Sequence, residues 1–284
     1  MKLTFFFLMA LLSTSAWCEE RPAPTPPSTT QEFTLQPGLN AVPITRFPLL
    51  GPDGAVGEKL TLAGVFGPNN EAGLGAGDAN SADIVWVSTA NGEWEQLYFS
   101  SNRVTPVGAR HGWRSVSAGE EDFSDFSWPF TAGVMIERRQ KDPISIAFQG
   151  APRLTETVLQ INRGSNYFNR VYDVKWTLVD LELEAFFVRV PEQALARPQV
   201  DPTGNAVEVL ADQFVHPSTG DHYVLTEEGV WFHMDTRMPV DPGLIEVLGT
   251  FGINRFGEPT TLSLPAPPIP QPAIPQLRPS PFLG

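Results

Sequence analysis

FTLQPGLNAVPITRFP (residues 33–48) and VLQINRGSNYFNRVYD (158–173) are the two stretches on which the reading of this chain turns. Each is an apolar strand, then a Gly and an Asn two residues apart, then a second strand. Gly38 and Asn40 align with Gly164 and Asn166 at a shift of 126 residues. A recurrence at fixed period takes precedence over local signals, because it sets the architectural unit. The match continues outward in the same order. EKLTLAGVF (58–66) answers to WTLVDLEL (176–183), and ADIVWVSTANGEWEQL (82–97) to ADQFVHPSTGDHYVLT (211–226). HGW (111–113) answers to GVW (229–231), and PFTAGVMIERR (129–139) to PVDPGLIEVLG (239–249). TVLQI (157–161) and TTLSLP (260–265) are read as the closing strands of the two copies.

The elements inside the repeat are strands. DIVWV, EWEQLYF, VMIERR, ISIAFQG, NYFNRVYD, EAFFVRV and GVWFHM are β-branched or aromatic runs bounded by Gly, Pro, Asn or Asp. ISIAFQ (144–149) alternates, which puts Ile144, Ile146 and Phe148 on one face. ANGEW and STGDH mark hairpins. Only PEQALAR (191–197) reads as a helical turn or two. Short strands with little helix predict an all-β protein: two related antiparallel β-sandwich or jelly-roll-like modules in tandem. The modules are expected at 32–157 and 158–264.

Proline brackets this unit. Of 28 prolines, four lie at Pro22, Pro24, Pro26 and Pro27 and eight in residues 265–284. Residues 19–31 read as an extended Pro-rich linker and 265–284 as a Pro-rich tail. Before the linker, Lys2, the apolar Leu3–Leu12 and the small residues Ser13–Ala16 read as an export signal over 1–18. Cleavage after Ala16 or after Cys18 both fit, and Cys18 also raises a lipidated form, against which Trp17 stands. With Cys18 removed the chain has no cysteine, so its stability does not rest on disulfides. After signal cleavage no window is long enough to span a bilayer, which needs about 20 apolar residues. The expected location is secreted or extracytoplasmic, in the periplasm or at the cell surface.

The net charge of −13 argues against a nucleic-acid partner, which requires clustered Lys and Arg. The partner is expected to be an envelope or extracellular protein, or a glycan. In the Gly-rich loop 73–83, Asp78, Asn80 and Asp83 are weak candidates for Ca2+, without the pattern of an EF-hand; no other cofactor is indicated. His216 and His222 flank the STGD turn beside Asp221 and read as turn and strand-surface residues. GEEDFSDFSW (119–128) clusters Glu120, Glu121, Asp122 and Asp125 with aromatics, which raises glycoside hydrolysis; the second carboxylate that chemistry needs is not evident. Trp113 and Trp231, at matching places, read as core. Trp94 and Trp128 are weak ligand-binding candidates for glycan stacking. No GxSxG, SxxK or cysteine nucleophile motif appears, so no catalytic residue is assigned.

The repeated pattern resembles a module of exported bacterial surface proteins of unassigned function. The first copy supplies GLN (38–40), FP (47–48), LTL (60–62), ADIVWV (82–87), NGEW (91–94), GW (112–113) and PFTAGVMIERR. The second supplies GSN (164–166), WTL (176–178), ADQFV (211–215), GDHY (220–223), GVW and PVDPGLIE (239–246). It is similar to a verrucomicrobial-type exported family whose members often carry a C-terminal sorting anchor; related arrangements occur in surface modules of other Gram-negative bacteria. The resemblance covers about 32–264 and brings no catalytic residue with it. It departs in two places. The second strand, which usually ends Ser-x-Pro, ends in RFP or VYD here, and the chain ends in the Pro-rich tail without an apolar helix and basic cluster. Release, or attachment through a partner, is the expectation. The sequence therefore predicts an exported, non-enzymatic structural or interaction protein, with a carbohydrate-binding module as the alternative and a hydrolase behind it.

Overall fold

The computed structural model describes residues 29–47, 49–50, 55–56, 59–101, 111–118, 121–196 and 211–267. The export signal, most of the linker and the tail beyond 267 lie outside the described residues, as does Glu120. The first half of the chain runs β1 (Thr29–Leu35), β2 (Gly38–Ala41), β3 (Arg46–Phe47), β4 (Leu49–Leu50), β5 (Ala55–Val56), β6 (Lys59–Thr61), α1 (Leu62–Phe66), β7 (Ile84–Ser88), β8 (Trp94–Ser100), β9 (Gly112–Ser115), β10 (Ser127–Pro129), β11 (Val134–Arg138) and β12 (Ile144–Pro152). The second runs β13 (Thr157–Ile161), β14 (Gly164–Asn169), two 3-10 turns at 179–185, α2 (Glu192–Ala196), β15 (Gln213–His216), β16 (Asp221–Leu225), β17 (Trp231–His233), β18 (Met238–Val240), a 3-10 turn at 242–244, β19 (Thr250–Arg255) and β20 (Thr260–Leu264). The fold is all-β, in antiparallel sheets with two short helices.

The pairing order of the first half recurs in the second. In the first, β1 pairs with β12 and a five-stranded sheet runs β2-β11-β7-β8-β9. In the second, β13 pairs with β20 and the sheet runs β14-β19-β15-β16-β17, extended by β18. Alternation builds the first-to-last pair: in β12, Ile146 and Phe148 are buried while Ser145, Ala147 and Gln149 face out. β13 repeats this with Leu159 and Ile161 inside and Val158 and Gln160 outside.

Several expected boundaries shift. Strand β1 begins at Thr29, so the linker gives way to structure before residue 31. TVLQI opens the second half as β13; the strand that closes the first half is β12. The counterpart of VMIERR in the second half is not PVDPGLIEVLG but β19, because Arg138 lies opposite Gly38 as Arg255 lies opposite Gly164. The 239–249 segment instead carries the end of β18 and the 3-10 turn, whose cap is Asp241 accepting from Gly243 N at 2.8 Å. EAFFVRV is not a strand. Glu182 sits at φ 48°, which breaks the backbone into 3-10 turns. Phe187 and Val190 then face inward, and Val188 N is taken by Asp212.

One hydrophobic core runs through both halves, from Leu35, Trp113 and Phe148 to Phe214, Trp231 and Phe251. Trp113 and Trp231 are buried at matching places, and each indole N–H is satisfied: Trp113 donates to Gly67 O at 3.0 Å, Trp231 to Glu184 Oε1 at 3.2 Å. The halves also share hydrogen bonds. Gly133 N donates to Tyr167 O at 3.1 Å and Asn169 N to Thr131 O at 2.8 Å. The buried Asn169 amide donates to Ile44 O at 2.8 Å and Phe130 O at 3.1 Å while its oxygen accepts from Ile44 N at 3.0 Å. Gly249 packs so close to Ala41 and Pro43 that no side chain fits there.

Candidate functional site

The motif residues shared by the two halves are architectural, and their geometry is the same twice. Gly38 and Gly164 take φ of 95° and 94°, a left-handed conformation that glycine adopts without steric cost. The Asn two residues on closes the turn. Asn40 Oδ1 accepts from Gln36 N at 2.9 Å, and its amide donates to Gln36 O and Gly38 O at 2.8 Å. Asn166 Oδ1 accepts from Asn162 N at 2.9 Å, and its amide donates to Asn162 O and Gly164 O at 2.8 and 2.9 Å.

The Asp of the segments ADIVWV and ADQFV forms a buried clamp. Asp83 Oδ2 accepts from Gly75 N and Arg138 Nη1, both at 2.6 Å, and Oδ1 from Arg139 N at 2.9 Å. Asp212 repeats this with Val188 N at 2.9 Å, Arg255 Nη1, and Phe256 N at 2.7 Å. Asp83 is therefore corrected from metal candidate to ion-pair partner: both oxygens point inward and are occupied. Asp78 is spent on its own turn, where Oδ1 accepts from Asn80 N, Ser81 N and the Ser81 hydroxyl. The Ser81 hydroxyl, first, holds its carboxyl below the usual range. Only Asn80 is left without a side-chain bond, and the loop 73–83 brings no set of cation ligands together. Among the described residues no group of three His, Cys, Asp or Glu is placed to hold a metal ion.

The other titratable candidates are also used locally. His222 Nδ1 meets Gln213 Oε1 at 2.8 Å and His233 Nε2 meets Asp221 Oδ1 at 3.1 Å. The Thr219 hydroxyl, chiefly, lowers the Asp221 carboxyl, with His233 adding to it. His216 is buried between Phe214 and Tyr223, and that burial pushes its pKa down against the pull of Asp221. In the acidic loop, Asp122 binds Ser124 N and Oγ at 2.9 and 2.7 Å, while Glu121 and Asp125 face outward.

The tryptophan candidates lie at one place. A cleft of about 470 Å3 runs where the β7–β8 turn and β10 of the first half meet β13 and β14 of the second. Trp128 forms part of its wall but is only 2% exposed, so it is corrected from stacking platform to wall. Its indole Nε1 is buried with no hydrogen-bond partner. Trp94, half-buried, does not line the cleft; its ring meets that of Tyr167 at 4.7 Å between centroids, tilted by 41°, and Tyr167 lines the cleft. None of the described lining residues is charged. Five of them, Ser127, Thr131, Gln160, Asn162 and Ser165, hold neutral polar side chains with no hydrogen bond inside the protein. Tyr167 escapes sequence reasoning because its neighbour Trp94 is 73 residues away and in the other half; the only hint is its place in the NYFN run of the repeat. A second, smaller cleft of about 230 Å3, which includes Phe33, Asn40, Arg170 and Glu246, occupies the reciprocal position in the joint. Compared with known proteins, the chain matches no family, no characterised protein and no solved structure.

Proposed function

We propose that this chain is an exported, non-enzymatic protein made of two copies of one β module, acting as a structural or interaction component of the cell envelope or the extracellular space. The observation that carries the reading is the clamp-and-turn set, Asp83–Arg138 with Asn40 and Asp212–Arg255 with Asn166, repeated at matching places in two halves that share one core. Selection for a repeated scaffold fused into one block fits a protein whose work is to hold surfaces in fixed relation. The buried acid groups of the described residues are committed to that scaffold, which supports binding in preference to acid–base chemistry. Export is supported by the leader at 1–18 and by the resemblance to exported surface modules; no helix among the described residues is long and apolar enough to cross a membrane.

Expressed with its own leader in a Gram-negative host, the protein is expected in the periplasm or medium with a mature N-terminus at Trp17 or Glu19 by intact mass. Retention in the cytoplasm with Met1 in place contradicts export. Crosslinking mass spectrometry on intact cells and medium is expected to recover an envelope or extracellular neighbour. Reproducible turnover by the purified protein on a broad hydrolase substrate panel overturns the non-enzymatic reading.

A further inference from the structure

We propose that the cleft between the halves is a binding site for a neutral saccharide, with Tyr167 and Trp128 in its wall; this names a ligand class for the interaction protein proposed above and rests on that reading. The argument begins with the matching positions. In the two main sheets, Arg138 opposite Gly38 corresponds to Arg255 opposite Gly164, which makes Ala41 the counterpart of Tyr167. Val85 opposite Leu97 corresponds to Phe214 opposite Tyr223, which makes Gly220 the counterpart of Trp94. Thr61 opposite Ser127 corresponds to Thr177 opposite Glu246, which makes Val247 the counterpart of Trp128. The shared plan is thus satisfied by Ala and Val at the places where this cleft has Tyr167 and Trp128, and by Gly where Trp94 packs against Tyr167 from outside the lining. Yet the cleft with the larger side chains is the larger one, about 470 against 230 Å3. The aromatics line space; they do not fill it.

The chemistry of the lining selects the ligand. Its volume is in the range of small-ligand sites, about 300–1,000 Å3. The lining lacks charge, which fits a neutral molecule, since an ion brought into it would lose water without a counter-charge. The unspent side chains are hydroxyls and amides, which offer donors and acceptors together. A sugar hydroxyl is both donor and acceptor, whereas a proline-rich peptide offers mostly carbonyl acceptors and few N–H groups. Aromatic rings carry a negative face that attracts the weakly positive C–H edge of a sugar ring.

The test is an array of neutral oligosaccharides probed with the full-length secreted protein, followed by tryptophan-fluorescence titration with the best binder. Tyr167→Ala and Trp94→Gly install the counterpart residues, and each is expected to weaken binding about tenfold or more with the melting temperature largely kept. Asn162→Trp, at an exposed rim position, is expected to abolish binding by filling the cleft without altering the core. Absence of binding to any neutral saccharide overturns the proposal, as does binding that none of the three variants changes. A synthetic peptide of residues 265–284 that binds the cleft when no saccharide does also overturns it. If no saccharide binds but crosslinking recovers an extracytoplasmic neighbour, the interaction reading stands and the saccharide site falls. If a saccharide binds and is hydrolysed, the site stands and the non-enzymatic reading falls.

Discussion

Asp83 is fully buried, and its partner Arg138 is 6% exposed at 2.6 Å. Removing one member of such a pair strands a charge without water. Asp83→Ala and Asp212→Ala are each expected to cost about 3–5 kcal/mol, read by urea denaturation. The double variant Asp83→Leu/Arg138→Met is expected to recover most of the loss, because no charge is then left uncompensated. If the double variant is as unstable as the single, the clamp works through shape and not through charge. His216 gives a separate signature. Burial lowers its pKa, so the unfolded chain binds the proton more readily than the folded one. Stability from this residue is complete above its unfolded pKa of about 6.5 and is lost as pH falls toward the lower folded value. The melting temperature is expected to drop from pH 7 to pH 5, and His216→Val, which installs the counterpart Val87, is expected to flatten that drop. Asp221, lowered chiefly by Thr219, contributes stability present above its unfolded pKa near 4, a window that leaves the His216 step readable by itself.

At the scale of elements, the Gly-x-Asn turns set the entry of β2 and β14 into the sheets. Both asparagines reach the neighbouring strand, Asn166 to Ile253 O at 3.1 Å and Asn40 to Ile136 O at 3.2 Å, but Asn166 is 8% exposed whereas most bonds of Asn40 are exposed. Asn166→Ala is therefore expected to cost about 1–3 kcal/mol and Asn40→Ala less, by the same denaturation measurement; equal costs would mean that burial does not decide the turn's worth. These turns are legible in the sequence because glycine and asparagine answer a local backbone need. So is the alternation in β12. EAFFVRV is not legible as 3-10 structure: its aromatic and β-branched composition favours a strand, and tertiary contacts at Phe187, Val190 and Asp212 override that preference. The pairing of PVDPGLIEVLG with PFTAGVMIERR fails for a related reason. Gly and Pro spacing looks alike in both, but the register is set by the buried Arg, which β19 carries and 239–249 does not. Asp83 looked like a cation ligand because acidic residues in a Gly-rich loop share composition with a Ca2+ site; only burial separates the two.

At the scale of the whole molecule, the joint between the halves determines what the protein can present. The cleft, the tilted ring pair Trp94–Tyr167 and the reciprocal smaller cleft all exist only while β13 and β14 lie against the first half. That contact is internal: Asn169 is 0% exposed, and Thr250 Oγ1 accepts from Val134 N at 2.9 Å and donates to Val134 O at 2.5 Å. Gly249→Val places a side chain against Pro43 and Ala41 and is expected to destabilise both halves together, by about 2 kcal/mol or more. The most direct test of the two-module block is differential scanning calorimetry of the full-length protein. One core predicts one transition, with calorimetric and van't Hoff enthalpies equal and a midpoint that Gly249→Val lowers without splitting. Two resolved transitions, with Gly249→Val moving only one of them, would contradict it.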